Sequence, residues 1–133
     1  MKKLVILGAQ ESGVGAALLA KKLEIPVFVS DASNIPERFR TRMESAGIDY
    51  EQGGHTVRTV LAADEVIKSP GIPETASIVR SLRDRGVPVI GEIEFASRHT
   101  KAPIIGITGS NGKTTTTLLV HHILSKSGLD AGL

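Results

Sequence analysis

Residues Thr108-Gly109-Ser110-Asn111-Gly112-Lys113-Thr114 set two glycines, an ammonium and hydroxyls between the apolar stretch 104–107 and a helical pattern carrying Leu118, Leu119 and Ile123. Strand, loop and helix in that order suit a phosphate-binding loop. Glycines let the backbone approach an anion and turn successive N–H groups toward it, and a helix start adds free donors and the positive end of its dipole. Lys113 would reach the β- and γ-phosphate oxygens of a nucleotide and the Thr114 hydroxyl would ligate Mg²⁺. Gly109, Ser110, Asn111, Gly112 and Thr115 complete the candidate loop. The general spacing G-x-x-x-x-G-K-[ST] is not met, because Ile107 stands five positions before Gly112 and the glycine is Gly109. A plain strand-to-helix turn is the competing reading. The threonines 114–117 are poor interior helix formers and fit a helix start beside a ligand; for Thr116 and Thr117 a capping cluster competes.

A second glycine loop, Gly8-Ala-Gln-Glu-Ser-Gly13, has the first and third glycines of G-x-G-x-x-G but places Gln10 where dinucleotide folds need a glycine to admit the pyrophosphate. Gln10 argues against a conventional NAD site. Asp31, some twenty residues on, stands where such folds place the ribose-binding acid. Nucleotide binding and tight strand–helix packing both remain open here. Ser69-Pro70-Gly71 follows a predicted strand and would project from the sheet edge at which open α/β folds bind ligands. Proline fixes φ and Gly71 permits a positive φ, which would leave N–H groups facing an anion; a bare turn is the alternative.

Other chemistry-bearing residues read as structural. His121 and His122 are helical neighbours about 100° apart and cannot converge on one metal, and His55 and His99 fall in polar turns. Glu92 and Glu94 match acids that complement the dipole in the first turn of a helix. Arg38, Arg40 and Arg42, and Arg80, Arg83 and Arg85, fit the solvated faces of two helices.

The elements that must position these residues follow from short apolar runs alternating with helical patterns: 4–7, 14–23, 27–29, 35–46, 66–67, 78–82, 87–90 and 104–107. Alternation of this kind predicts βαβ units, hence a Rossmann-like parallel sheet flanked by helices. Ile35, Phe39, Met43 and Ala46 make one helical stripe. Polarity rises at Arg98-His-Thr-Lys-Ala-Pro103, placing a domain boundary near residue 100. The expected organisation is a first domain over 1–100 and, over 101–133, the first strand–loop–helix unit of a second domain that reads as cut short, with the natural protein longer. One βα unit cannot bury both its faces alone.

Composition agrees. The 133 residues are 41% hydrophobic, mostly aliphatic, with one Tyr, three Phe and no Trp, which suits a buried parallel sheet and offers little for stacking bases. A net charge of +2 is far from a nucleic-acid binder's basic excess. With no cysteine, thiolate chemistry is excluded. The apolar run before Gly8 is only four residues long, too short for a signal core, and no run approaches the roughly 18 of a membrane helix, so no membrane insertion and a cytoplasmic location are expected.

Taken together, the motifs resemble the Mur ligases of bacterial cell-wall synthesis. Ile107-Thr-Gly-Ser-Asn-Gly-Lys-Thr-Thr115 looks like that family's ATP loop, shared with folylpolyglutamate synthases. Lys68-Ser-Pro-Gly-Ile-Pro73 and Gly86-Val-Pro-Val-Ile-Gly-Glu-Ile-Glu-Phe95 resemble its D-glutamate-adding branch, and the likeness runs from Gly8 to Gly128. It implies an ATP- and Mg²⁺-dependent amide ligase joining D-glutamate to UDP-N-acetylmuramoyl-L-alanine through an acyl phosphate, with Lys113 and Thr114 at the phosphates. It further implies that the first domain holds the uridine diphosphate moiety, with Glu11, Ser12, Gly13, Ser69, Pro70 and Gly71 near the diphosphate and Asp31 and Ala32 near the uracil or ribose. These 133 residues would then bind the nucleotide without catalysing ligation. Two other readings predict different ligands: an NAD-binding redox or regulatory module, and a ligase of another Mur or folate type.

Overall fold

The β1 strand, Leu4–Leu7, is buried along its whole length, and the rest of the first unit is built around it. The computed structural model describes residues 2–132, which form two units, Met1–Thr100 and Lys101–Leu133.

In the first unit β1 is followed by α1 (Glu11–Lys22), β2 (Val27–Asp31), α2 (Glu37–Ser45), β3 (Asp49–Gln52), α3 (Val57–Leu61), β4 (Glu65–Lys68), α4 (Ser77–Asp84), β5 (Val89–Gly91) and α5 (Glu92–Ser97). The five strands are parallel in the order β3-β2-β1-β4-β5, with Leu4 opposite Val27 on one side and Glu65 on the other. This is the expected α/β architecture.

Successive strand residues face opposite sides of a sheet. Leu4 and Ile6 pack with Ala17, Phe39, Met43 and Phe95 from α1, α2 and α5, while Val5 and Leu7 pack with Val60, Val79 and Leu82 from α3 and α4. The helices change face where the chain returns across the sheet to β4. Strand order reverses between β1 and β4, which opens a crevice at the carboxyl ends of these strands. The expected stripe is buried, with Phe39 and Met43 on α2, Ile35 just ahead of the helix, and Ala46 at its carboxyl cap packing against them.

Two elements bury little apolar surface. The β3 strand is Asp-Tyr-Glu-Gln on the sheet edge, and α3 buries only Val60.

The second unit departs from expectation. Residues 104–107 form no strand. A strand is completed by ladder hydrogen bonds to a neighbour, and among the described residues no other segment of this unit forms a strand with them. Ile104 and Ile105 are 62% and 61% exposed, and α6 (Lys113–Lys126) has no buried residue. Among the described residues no helix is long and apolar enough to cross a membrane.

Candidate nucleotide sites

In the first unit the tips of β1, β2 and β4 meet around a cleft of about 550 Å³, within the usual range for small-molecule sites. Gly8 ends β1 with φ +97°, and a Cβ there would lie 2.9 Å from the Cβ of Ser69. Glycine is required twice over, by the left-handed backbone and by the approach of the β4 turn. The Gly8 amide donates to the Ser30 carbonyl and the Ser69 amide to that of Leu7, extending both ladders to the rim.

The Ser69-Pro70-Gly71 turn is closed by the Ile72 amide donating to the Ser69 carbonyl at 3.0 Å. Gly71 is not in the left-handed region, contrary to the expectation from its residue type. The turn is held from outside instead. The largely buried Lys68 donates to the carbonyls of Ile72 (2.6 Å) and Ser69 (3.3 Å) and pairs with Glu74. Hydrogen bonds from Lys68 and Arg83 hold the Glu74 carboxyl below its usual pKa. A Cβ at Gly71 would meet nothing within 4 Å, so a side chain there would enter open space.

Asp31 joins the loops after β1 and β2: Oδ2 accepts the Ala9 amide at 2.7 Å and Oδ1 the Ser33 amide at 2.8 Å. Its carboxylate has a structural task as well as a place in the cleft wall. Gly8, Gln10, Asp31, Ala32, Ser69 and Gly71 all line the cleft. Glu11, Ser12, Gly13 and Pro70 do not. Glu11 pairs with Arg42, Ser12 donates its hydroxyl to Glu92 at 3.0 Å, and Gly13 lies buried under Gly8, where a Cβ would come 2.0 Å from the Gly8 carbonyl oxygen. What Glu11, Ser12 and Gly13 offer is backbone. The first bond of α1 is made by Val14 to the Gln10 carbonyl, leaving the three preceding amides uncommitted at the positive end of the dipole.

The side chains read from the sequence as structural divide here between local contacts and the cleft. Glu92 is 5% exposed and accepts from Ser12, so it serves as more than a dipole partner; Glu94 pairs with Arg98. His55 lines the cleft, and its Nδ1 is 2.6 Å from Ser30 Oγ. The usable signal was position, since His55 follows the carboxyl end of a strand. His99 packs edge-on against Phe95, and His121 Nε2 donates to the Ala131 carbonyl. Among the described residues no group of three or more His, Cys, Asp or Glu is arranged to hold a metal.

In the second unit Gly112 caps α6 from a left-handed conformation (φ +76°), and the first helical bond runs from the Thr116 amide to the Gly112 carbonyl. The amides of Lys113, Thr114 and Thr115 therefore precede any helical acceptor. Lys113 Nζ donates to the Gly109 carbonyl at 2.7 Å, drawing the ammonium over its own loop. Ser110, Asn111, Thr114 and Thr115 are exposed. Thr117 bonds back to the Lys113 carbonyl, a local helix contact.

A family model described as "Mur ligase MurD-like, N-terminal domain" matches residues 2–91. The UDP-N-acetylmuramoylalanine--D-glutamate ligase of Bacteroides fragilis (strain YCH46) is 54% identical over 133 residues, covering 100% of this chain and 30% of its own length. The chain thus spans about 30% of the length of the curated relatives it matches first. Among solved structures, the murein peptide ligase mpl from Psychrobacter arcticus 273-4 superposes with a TM-score of 0.71 at 29% identity, over 99% of this chain and 28% of that one. The UDP-N-acetylmuramate-alanine ligase MurC from Thermotoga maritima gives 0.64 at 26% identity, over 94% and 29%.

Proposed function

This chain belongs to the Mur ligases through a MurD-like N-terminal domain, and from that premise we propose that it is the nucleotide-holding part of an ATP-dependent ligase that adds D-glutamate to UDP-N-acetylmuramoyl-L-alanine. One observation carries the reading. The cleft sits at the switch point between β1 and β4, where the close contact of Gly8 with Ser69 brings the Ser69-Pro70-Gly71 turn to the rim next to the free amides of α1. Backbone donors of this kind suit a diphosphate, and Asp31 and Ala32, on the β2 side, are assigned to the uracil or ribose.

In this reading the domains are 1–100 for the uridine nucleotide and 101–133 for the opening segment of an ATP-binding domain. Gly109, Ser110, Asn111, Gly112 and the amides of Lys113, Thr114 and Thr115 wrap the phosphates of ATP. Lys113 leaves the Gly109 carbonyl for the transferring phosphoryl group. The exposed Thr114 hydroxyl suits a ligand for Mg²⁺, which supplies charge neutralisation during transfer. The γ-phosphoryl group passes to the L-alanyl carboxylate, and the amine of D-glutamate displaces phosphate from the acyl phosphate to form the amide. Lys113 stabilises charge and moves no proton. The reading assigns the protein to the cytoplasm.

The test is calorimetric titration of the 133-residue chain with UDP and with NAD. Binding of UDP in preference to NAD is expected; NAD binding without UDP binding would replace this reading with a dinucleotide module. Incubated with ATP and both substrates, the same chain is expected to give no amide product. In the complete enzyme Lys113→Ala is expected to lower kcat by about 10²-fold or more.

A further inference from the structure

The polar cluster of Ser30, Glu51 and His55 has no part in the nucleotide contacts assigned above. Ser30 is fully buried, and its Oγ lies 2.6 Å from Glu51 Oε1 and 2.6 Å from His55 Nδ1. Glu51 Oε1 also accepts the Thr56 amide at 2.8 Å. Burial acts to raise the Glu51 pKa, but the hydrogen bonds from Ser30 and Thr56 outweigh it and hold the carboxyl below its usual value. At neutral pH Glu51 is therefore an acceptor only.

The proton inventory follows. Ser30 has one hydroxyl proton, and Glu51 takes it. What Ser30 offers His55 is a lone pair, so Nδ1 must be the nitrogen that carries hydrogen. In a neutral imidazole the other nitrogen then has the lone pair. Nε2 has no partner among the described residues, and His55 lines the cleft.

We propose that His55 is a ligand-contacting specificity residue of this cleft, held by Ser30 and Glu51 so that Nε2 accepts a hydrogen bond from the nucleoside half of the ligand. The donor is the imide N–H of the base or the 2′-hydroxyl of the ribose. Sheet order supplies the reason for choosing that half. The free amides of α1 and the Ser69-Pro70-Gly71 turn follow β1 and β4, whereas His55 follows β3, beside the β2 end that carries Asp31 and Ala32. A lone pair would repel phosphate oxygens and attract an N–H or O–H. The inference rests on the reading of the cleft as a uridine-nucleotide site.

The experiment titrates UDP, N3-methyl-UDP and 2′-deoxy-UDP against the wild-type chain, His55→Phe and His55→Gln, with histidine ring ¹⁵N shifts recorded before and after UDP. Wild type is expected to show the Nδ1–H tautomer, a shift change on binding, and weaker binding of at least one analogue, which identifies the donor. His55→Phe is expected to bind UDP about five- to tenfold more weakly and to lose that discrimination. His55→Gln, which keeps an acceptor, should retain most of the affinity. An Nε2–H tautomer, equal binding of all three ligands by wild type, or unchanged UDP affinity in His55→Phe would overturn the role of His55 while leaving the cleft assignment intact. Failure of wild type to bind UDP at all would instead overturn the cleft assignment and this inference with it.

Discussion

Gly13 and Gly15 are two positions apart on α1, yet a methyl group has opposite consequences at the two. At Gly13 the added carbon would lie 2.0 Å from the Gly8 carbonyl oxygen, which is backbone and cannot swing aside. Gly13→Ala is expected to cost about 3 kcal/mol in urea denaturation and to weaken the UDP binding proposed for the cleft by pushing α1 off the β1 tip. At Gly15 a Cβ meets nothing within 4 Å, and Gly15→Ala is expected to stabilise by about 0.4–1 kcal/mol through helix propensity and a less disordered unfolded chain. Equal effects at the two sites would contradict the packing of helix on strand described here. Glycine spacing made Gly8 and Gly13 legible from sequence, because their residue type carries the constraint. The group formed by Ser30, Glu51 and His55 was not legible, since its members lie 21 and 25 residues apart and meet only when β2 pairs with β3.

At the scale of elements, apolar runs located β1, β2, β4 and β5, and the stripe on α2 located that helix, because burial demands those side chains. The polar edge strand β3 is held by backbone pairing to β2 and left no hydrophobic trace. Residues 104–107 show the converse: an apolar run without a pairing partner makes no ladder. At the amino end of β4, Glu65 is 6% exposed and receives Arg98 at 2.9 Å and Lys2 at 3.1 Å, tying the strand to the end of α5 and to the start of the chain. Burial acts to raise its pKa, but the Arg98 and Lys2 hydrogen bonds prevail and the pKa is lowered. A depressed folded-state pKa contributes stability that is present above the unfolded value of about 4.3 and is lost as pH falls through the folded value. Glu65→Gln is therefore expected to destabilise by about 1–3 kcal/mol at pH 7, with the difference from wild type shrinking below about pH 4. Chemical denaturation at both pH values checks this, and a difference constant with pH would show that the charge plays no part.

Across the whole molecule, stability is expected to be concentrated in one unit. Residues Met1–Thr100 have a two-faced core in which Leu82 and Ile6 are fully buried, while in Lys101–Leu133 the large apolar residues of α6, Leu118, Leu119 and Ile123, are 53%, 57% and 53% exposed. A 14-residue helix with no buried residue is near the length at which isolated helices are marginal in water. Hydrogen exchange should accordingly find the amides of β1 protected to the level of global unfolding and those of α6 exchanging through local opening. Mutations separate the units more sharply. Leu82→Ala removes a fully buried side chain and is expected to cost about 2–5 kcal/mol, whereas Leu119→Ser should change the unfolding free energy of this chain by less than about 0.5 kcal/mol. A cost of 2 kcal/mol or more for Leu119→Ser would mean that α6 contributes to the cooperative core, and the phosphate loop proposed at its head would then be preorganised for the proposed ATP instead of being ordered by it.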